Sequence, residues 1–142
     1  MTPRPKKGDE LELTVESLAF GGKGVAHLNG YVIFIKGALP DQKVLARLTK
    51  RRNGYGEAKT LEILKETPSY ITSKCDHFPT CGGCSFQDFD YYAQIEQKKA
   101  QVIDIFKRIG HMDKPKLNQV VPAEEIFHYR NKMEFSFSNR RW

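Results

Sequence analysis

The stretch FGGKGVAHLNGYVIFIKGALPDQKV, residues 20–44, determines the fold that the sequence predicts. At its centre, Asn29-Gly30 favours a two-residue β-hairpin turn, because both residue types tolerate positive φ. Residues 25–28 and the β-branched and aromatic run at 31–35 flank this turn. We therefore predict that they pair as antiparallel strands.

The segments on either side of this stretch continue the pattern. Residues 10–18 alternate apolar and polar side chains, and residues 42–49 and 55–64 are two further short apolar runs separated by a basic turn. Five short strands joined by tight turns are typical of an OB-like barrel. The predicted class is α+β, mainly β, with a closed antiparallel five-stranded barrel over residues 9–64. The residues expected in its core or on its packed faces are Leu11, Leu13, Val15, Val32, Phe34, Val44 and Leu61.

One helix is predicted after the barrel. Residues 90–109 place Ile95, Val102, Phe106 and Ile109 on one stripe at helical spacing. Such a stripe favours packing against a core rather than a binding site.

The chain divides into two predicted units. Residues 1–66 form the barrel, and residues 67–142 contain a cysteine-rich segment, the helix and the start of another sheet at 129–142. The apolar and polar alternation that begins at residue 135 belongs to a strand that runs to the last residue. We therefore expect the chain to be part of a longer protein.

Composition and charge narrow the functional class. The 142 residues include 23 Lys and Arg against 17 Asp and Glu, and a net charge of +6 favours nucleic acid as a partner. No stretch approaches the roughly 20 apolar residues of a membrane span. The polar N-terminus lacks the apolar segment of a signal peptide. A cytoplasmic location is expected, where thiols stay reduced.

The only cysteines are Cys75, Cys81 and Cys84, within the run CDHFPTCGGC. Thiolates this close together are typical of a metal or cluster site, and the two glycines between the last two allow a tight turn that presents both sulfurs. Three sulfurs do not complete a four-ligand site. A fourth cysteine beyond residue 142 would give a [4Fe–4S] cluster, whereas His77 would complete a zinc site. A trio of reduced, buried cysteines is the third alternative.

These motifs resemble a known family. The run at 20–44 and the basic hairpin KRRNGYGEA at 50–58 resemble a TRAM domain, the RNA-binding module of RNA-modifying enzymes. The run CDHFPTCGGCSFQ at 75–87 resembles the cluster segment of RlmD/RumA-type 23S ribosomal RNA (uracil-5-)-methyltransferases. The run HYRNKMEFSFSNRRW at 128–142 resembles the first strand of that family's central domain. The resemblance covers nearly the whole chain.

The resemblance implies the activity of a longer protein. Cys75, Cys81 and Cys84 would be three ligands of a [4Fe–4S] cluster. The fourth ligand, the S-adenosylmethionine-binding domain and every catalytic residue would lie beyond residue 142. There, a cysteine thiolate would add to C6 of a flipped-out uracil, C5 would take the methyl group, and a base would remove the C5 proton. The alternatives are a non-catalytic TRAM-type RNA-binding module with a zinc site, and a tRNA uridine methyltransferase relative.

Ribosomal RNA is the expected partner, and no membrane or obligate protein partner is expected for a monomeric chain. The predicted RNA-binding residues are cations that neutralise phosphates and one aromatic residue that stacks on an unpaired base. Lys50, Arg51 and Arg52 lie at a predicted hairpin tip beside Tyr55, and Lys23 lies between glycines that permit close approach to a phosphate. A second basic pair, in the segment that resembles the central domain, is Arg130 and Lys132.

Overall fold

A computed structural model describes residues 4–132, 134 and 137 of the chain. The described residues form one six-stranded sheet, in the order β1-β5-β6-β4-β3-β2, and one helix. The elements are β1 (Glu10–Thr14), β2 (Ser17–Leu18), β3 (Gly24–Leu28), β4 (Tyr31–Lys36), β5 (Lys43–Arg51), β6 (Tyr55–Lys65) and α1 (Tyr91–Arg108). The predicted class, mainly β with one helix, is confirmed.

The first predicted strand, residues 10–18, is two strands, so the sheet has six strands rather than five. The main chain changes partner at its middle: the Val15 N–H donates to the Gln42 carbonyl at 2.9 Å, and the Glu16 N–H donates to the Val25 carbonyl at 2.8 Å. β1 therefore pairs with β5, and β2 pairs with β3. Because these outermost strands are consecutive in the chain, the sheet curls around its buried face.

The prediction of a closed, fully antiparallel barrel is wrong in two respects: the six described strands form an open sheet in which β1 and β2 do not pair, and one pair of strands is parallel. β6 pairs with β4 in the parallel direction, with Phe34 opposite Glu57 and Val32 opposite Tyr55. β6 lies between β5 and β4 in the sheet. It is antiparallel to β5, its hairpin partner, and therefore runs in the same direction as β4. The other four pairings are antiparallel.

The core lies on the concave face of the sheet and follows the two-residue period of the strands. In β4, Tyr31, Ile33 and Ile35 are buried, whereas Val32 and Phe34 are half-buried on the outer face. The core prediction is thus confirmed for Leu13, Val15 and Val44, and Leu11 packs against the core. Val32 and Phe34 are half-buried on the outer face, where Phe34 packs against Tyr55, and the prediction is wrong for Leu61, which is 43% exposed.

The helix α1 begins at an N-cap, Asp90, whose carboxylate accepts from the Ala93 N–H at 3.0 Å. This hydrogen bond satisfies one of the main-chain N–H groups that have no carbonyl partner in the first turn of a helix. Of the predicted apolar stripe, only Ile95 is buried, while Val102, Phe106 and Ile109 are exposed. The expectation that the whole stripe packs against a core is therefore wrong within the described residues.

Polar side chains also hold α1 to the barrel, beside an apolar contact of Ala93 with the buried cluster that includes Leu18 and Leu39. Gln97 Oε1 accepts from the Leu18 N–H at 3.1 Å, and Gln101 Nε2 donates to the Leu18 carbonyl at 2.9 Å. Residues 129–132 form no strand, and most of the predicted strand at 135–142 lies outside the described residues. Among the residues described, no helix has the length and apolar character needed to cross a membrane.

Candidate nucleic-acid interface

The tip of the β5–β6 hairpin carries the predicted basic residues and is held by a buried hydroxyl. The Arg52 N–H donates to the Tyr55 carbonyl at 2.9 Å, and the Tyr31 hydroxyl lies 2.8 Å from the Arg52 carbonyl and 2.5 Å from the Tyr55 carbonyl. Arg4 lies over the Tyr31 ring at 5.8 Å and donates to the Asn53 carbonyl at 2.8 Å. Tyr31 and Arg4 thus both hold the main chain of the hairpin tip, which carries the exposed arginines Arg51 and Arg52.

Replacing Tyr31 with Phe tests this support, because it removes only the hydroxyl. The substitution leaves the carbonyls of Arg52 and Tyr55 without the Tyr31 hydroxyl as a hydrogen-bond partner. We therefore expect the free energy of unfolding to fall by about 1 kcal/mol. Urea unfolding measures the loss, and hydrogen exchange at the Arg52 amide should accelerate. Tyr92→Phe is the matched control, since Tyr92 is 72% exposed on α1. Equal stability of the two variants would contradict the proposed support.

The outer face of the sheet beside this tip carries two aromatic rings. Phe34 on β4 and Tyr55 on β6 point to the same face, with ring centroids 5.6 Å apart in an edge-to-face arrangement. Tyr55 is 40% exposed, and Phe34 is half-buried. Exposed rings on the face of an OB-like sheet can stack on unpaired bases. Tyr55 was predicted for this role, whereas Phe34 was assigned to the core or a packed face.

Two predicted cations meet on the same face through a carboxylate. Lys23 Nζ lies 2.9 Å from Glu57 Oε2, and Lys50 Nζ lies 3.7 Å from Glu57 Oε1. The hydrogen bond from Lys23, followed by the charges of both lysines, holds the pKa of Glu57 below its ordinary value. Glu57 is therefore ionised, and its position between the two lysines was not predicted from the sequence. No local pattern in the sequence indicates its contacts with Lys23 and Lys50.

The second predicted basic set lies apart from this face. Arg130 and Lys132 are exposed in the irregular segment after α1, and Lys132 pairs with Glu134 at 3.1 Å. Among the described residues, no hydrogen bond or ion pair joins either side chain to the sheet. The structure therefore brings Lys23 and Lys50 together around Glu57, on the face that carries Tyr55, and places Arg51 and Arg52 at the adjoining hairpin tip.

The cysteine segment lies between the barrel and α1. Cys75 is half-buried, Cys81 and Cys84 are exposed, and all three are free thiols. The Gly83 N–H donates to Cys81 Sγ at 3.3 Å. Gln87 links the two ends of the segment: its Oε1 accepts from the Cys75 N–H at 3.2 Å, and its Nε2 donates to Cys84 Sγ at 3.2 Å.

The donor chemistry of this segment fits a soft metal or an iron–sulfur cluster. Thiolates are the ligands that such groups take, and N–H groups donate to two of the three sulfurs. The side chains are not gathered around one point, however: within the described part of the chain, no three His, Cys, Asp or Glu side chains form a group that could hold a metal ion. His77 is exposed and joins no such group with the cysteines.

Comparison with known families assigns the barrel to a class. Residues 4–61 match the family model of the TRAM domain. The match begins ahead of β1 and ends within β6, so it contains the hairpin tip, both rings and Glu57. Residues 4–61, which hold most of the curled sheet, are thus similar to a TRAM domain, as the sequence predicted.

Relatives extend the similarity beyond the barrel. The chain is 36% identical over 134 residues to a protein of Clostridium tetani named as an uncharacterized RNA methyltransferase, and 35% identical over 134 residues to one of Halalkalibacterium halodurans with the same description. Each match covers 94% of this chain and 29% of the relative, so the chain spans less than a third of these relatives' length. The solution structure of a conserved protein of Methanococcus maripaludis is similar over 40% of this chain and 81% of that chain, with 26% identity and a TM-score of 0.39.

Proposed function

We propose that this chain is the RNA-binding N-terminal part of an S-adenosylmethionine-dependent methyltransferase that converts uridine to 5-methyluridine in large-subunit ribosomal RNA. The observation that carries the proposal is that Lys23, Lys50 and the stacking ring of Tyr55 share one face of the barrel, with Arg51 and Arg52 at the adjoining hairpin tip. The names of the relatives support an RNA methyltransferase at the coarser level. The choice of uracil C5 and of ribosomal RNA rests on the resemblance of the motifs, and the proposed cytoplasmic location rests on the composition of the sequence.

In this proposal the barrel binds and orients RNA, and methyl transfer takes place in a domain outside this chain. Arg51 and Arg52 contact phosphates from the hairpin tip, and Tyr55 and Phe34 offer their rings to unpaired bases. Phosphate contacts position the RNA without selecting its sequence. A flexible single strand held this way would reach the catalytic domain with its target base unstacked.

The cysteine segment is proposed to hold a [4Fe–4S] cluster through Cys75, Cys81 and Cys84, with a fourth ligand outside this chain. The resemblance motivates the cluster, and the thiolate donor set supports it. Methyl transfer to uracil needs no electron, so the cluster would supply a fixed local structure near the RNA. Gln87 would orient two parts of the ligand set, because it contacts the main chain of one ligand and the sulfur of another.

Replacing Arg51 and Arg52 together with Ala tests the RNA contact. We expect the affinity for a single-stranded RNA oligonucleotide to fall about tenfold or more at low salt, because two charge-assisted phosphate contacts are lost. The dependence of log K on log salt should flatten by about 1.4, at roughly 0.7 per phosphate contact on a single strand. Fluorescence anisotropy over a salt series measures both quantities.

The matched control removes the same charge elsewhere. Lys114 and Lys116 are exposed in the segment after α1 and pair with no acidic group among the described residues, so their double replacement by Ala should change affinity much less. Equal losses in both double variants would mean that net charge, rather than the hairpin, binds the RNA. A wild-type chain that binds no RNA at any salt concentration would overturn the proposed function.

A further inference from the structure

We propose that Lys23 and Lys50 form a binding site for one phosphodiester of the RNA, and that Glu57 occupies this site in the free protein. The inference rests on the proposed RNA-binding function and adds to it an internal competitor. Binding RNA would exchange the Glu57 carboxylate for a phosphate between the same two ammonium groups.

The two lysines reach the site from different parts of the barrel. Lys23 belongs to the glycine-rich turn before β3, and Lys50 lies near the end of β5, while Glu57 stands between them on β6. An irregularity in the β5–β6 register, between Leu48 and Lys50, places Lys50 opposite Glu57. Regular pairing from Leu48 and its partner Ala58 would place Thr49 there instead. This bulge therefore brings a second cation to the carboxylate.

The charges at this point do not balance. One carboxylate faces two ammonium groups, at 2.9 Å and 3.7 Å, so the cluster carries a net positive charge. The side chains of Lys23, Lys50 and Glu57 are 43%, 61% and 25% exposed, so an RNA backbone can reach all three from solvent. Exposed ion pairs of this kind contribute little to stability and exchange readily.

The neighbouring rings identify a nucleotide as the ligand that this site fits. A phosphodiester resembles a carboxylate in presenting two equivalent anionic oxygens and one negative charge, so it can take both lysine contacts. Phe34 lies directly opposite Glu57 in the strand register, and Tyr55 precedes Glu57 by two residues on the same face. A nucleotide with its phosphate at the lysines would therefore have aromatic surface within reach of a base.

An internal competitor has a definite effect on affinity. The phosphate must displace Glu57, and the displaced carboxylate takes up a cation from solution, which offsets one of the counterions that the RNA releases. The affinity for RNA is therefore lower, and its salt dependence less steep, than it would be if the two lysines were unpaired. Single phosphates or other small anions lack the stacking contacts that offset this cost, so the site favours RNA over them.

The test compares Glu57→Gln with Glu62→Gln in the chain described here, using a uridine-rich single-stranded RNA oligonucleotide as the probe. Both variants raise the net charge by one on the same strand, but Glu62 is exposed and pairs with no basic group among the described residues. We expect Glu57→Gln to bind about fivefold more tightly than Glu62→Gln at low salt. Its log–log salt slope should be steeper by about 0.7, the value for one further phosphate contact on a single strand.

A second comparison ties the gain to the lysines. Adding Lys23→Ala to Glu57→Gln should remove most of the gain, whereas adding Lys23→Ala to the wild type should have a smaller effect, because there the lysine is already paired. Thermal unfolding should show similar stability for the two single variants. Equal affinities of Glu57→Gln and Glu62→Gln, with wild-type RNA binding intact, would overturn the competitor role and leave the proposed function standing. Absence of RNA binding by the wild type would instead remove the proposed function itself.

Discussion

Replacing Ile33 with Ala is expected to lower the unfolding free energy by about 2–5 kcal/mol. Ile33 lies at the centre of β4 and is fully buried, with 0% of its surface exposed. Its neighbours in the core cannot close the space left by the missing atoms, because strands on both sides of β4 fix their positions. A domain of this size has little stability to spare, so a large part of the protein should unfold at physiological temperature.

The control is the adjacent residue. Val32→Ala removes fewer apolar atoms from a half-buried position on the outer face, and should cost well under half as much. Urea unfolding followed by circular dichroism compares the two variants. If Val32→Ala proved the more destabilising, the assignment of the inner and outer faces of β4 would be wrong.

In the longer protein that we propose contains this chain, replacing Cys81 or Cys84 with Ala is expected to remove bound metal completely. Purified without oxygen, that protein should carry about four irons per chain, as a [4Fe–4S] site requires. Either single replacement leaves too few thiolates for a stable cubane, so iron and the visible absorption should both disappear. Metal analysis and absorption spectra measure this loss. Stoichiometric zinc without iron in the wild type would support the three-cysteine site with His77 and weaken the methyltransferase proposal.

Replacing Gln87, which contacts two of the proposed ligand residues, should weaken metal binding without abolishing it. Gln87→Ala removes contacts to two ligand residues but no ligand, so cobalt(II), used as a probe of the reduced thiols, should bind about 10–100-fold more weakly. Gln119→Ala, at an exposed glutamine away from the cysteines, is the control. Unchanged cobalt affinity in Gln87→Ala would show that its contacts do not position the sulfurs.

The local parts of the fold were predictable because they depend on local chemistry. Asn29 and Gly30 have positive φ values of 51° and 78°, as the predicted hairpin turn requires. The division of residues 10–18 into two strands was not predictable in this way. Apolar and polar residues continue to alternate through Val15 and Glu16, and only the hydrogen-bond partners change, from Gln42 to Val25.

The faces of β4 were harder to assign for a related reason. Apolar residues occupy both faces between Tyr31 and Ile35, so alternation alone does not say which set is buried. The inner face includes Ile33, and the outer face includes Phe34, which the structure places beside Tyr55. Sequence reasoning assigned Phe34 to the core or a packed face and therefore missed its place at the candidate interface.

The basic residues of the interface were found from charge and turn position, whereas their acidic partner was not. Lys23 and Glu57 are 34 positions apart, and their contact depends on the order of strands in the sheet. The contact with Lys50 depends in addition on a bulge that no local pattern indicates. Long-range register of this kind becomes visible only when the strands are placed beside each other.

The glutamines of α1 also affect whether β2 can pair with a strand of another molecule. A strand at the border of a sheet normally offers free amide and carbonyl groups to which a strand of a second chain can add, and this is a common start of aggregation. On β2, Gln97 and Gln101 already occupy the amide and the carbonyl of Leu18. The side chains of a helix thus replace the missing neighbouring strand, and this border of the barrel is closed to intermolecular pairing at Leu18.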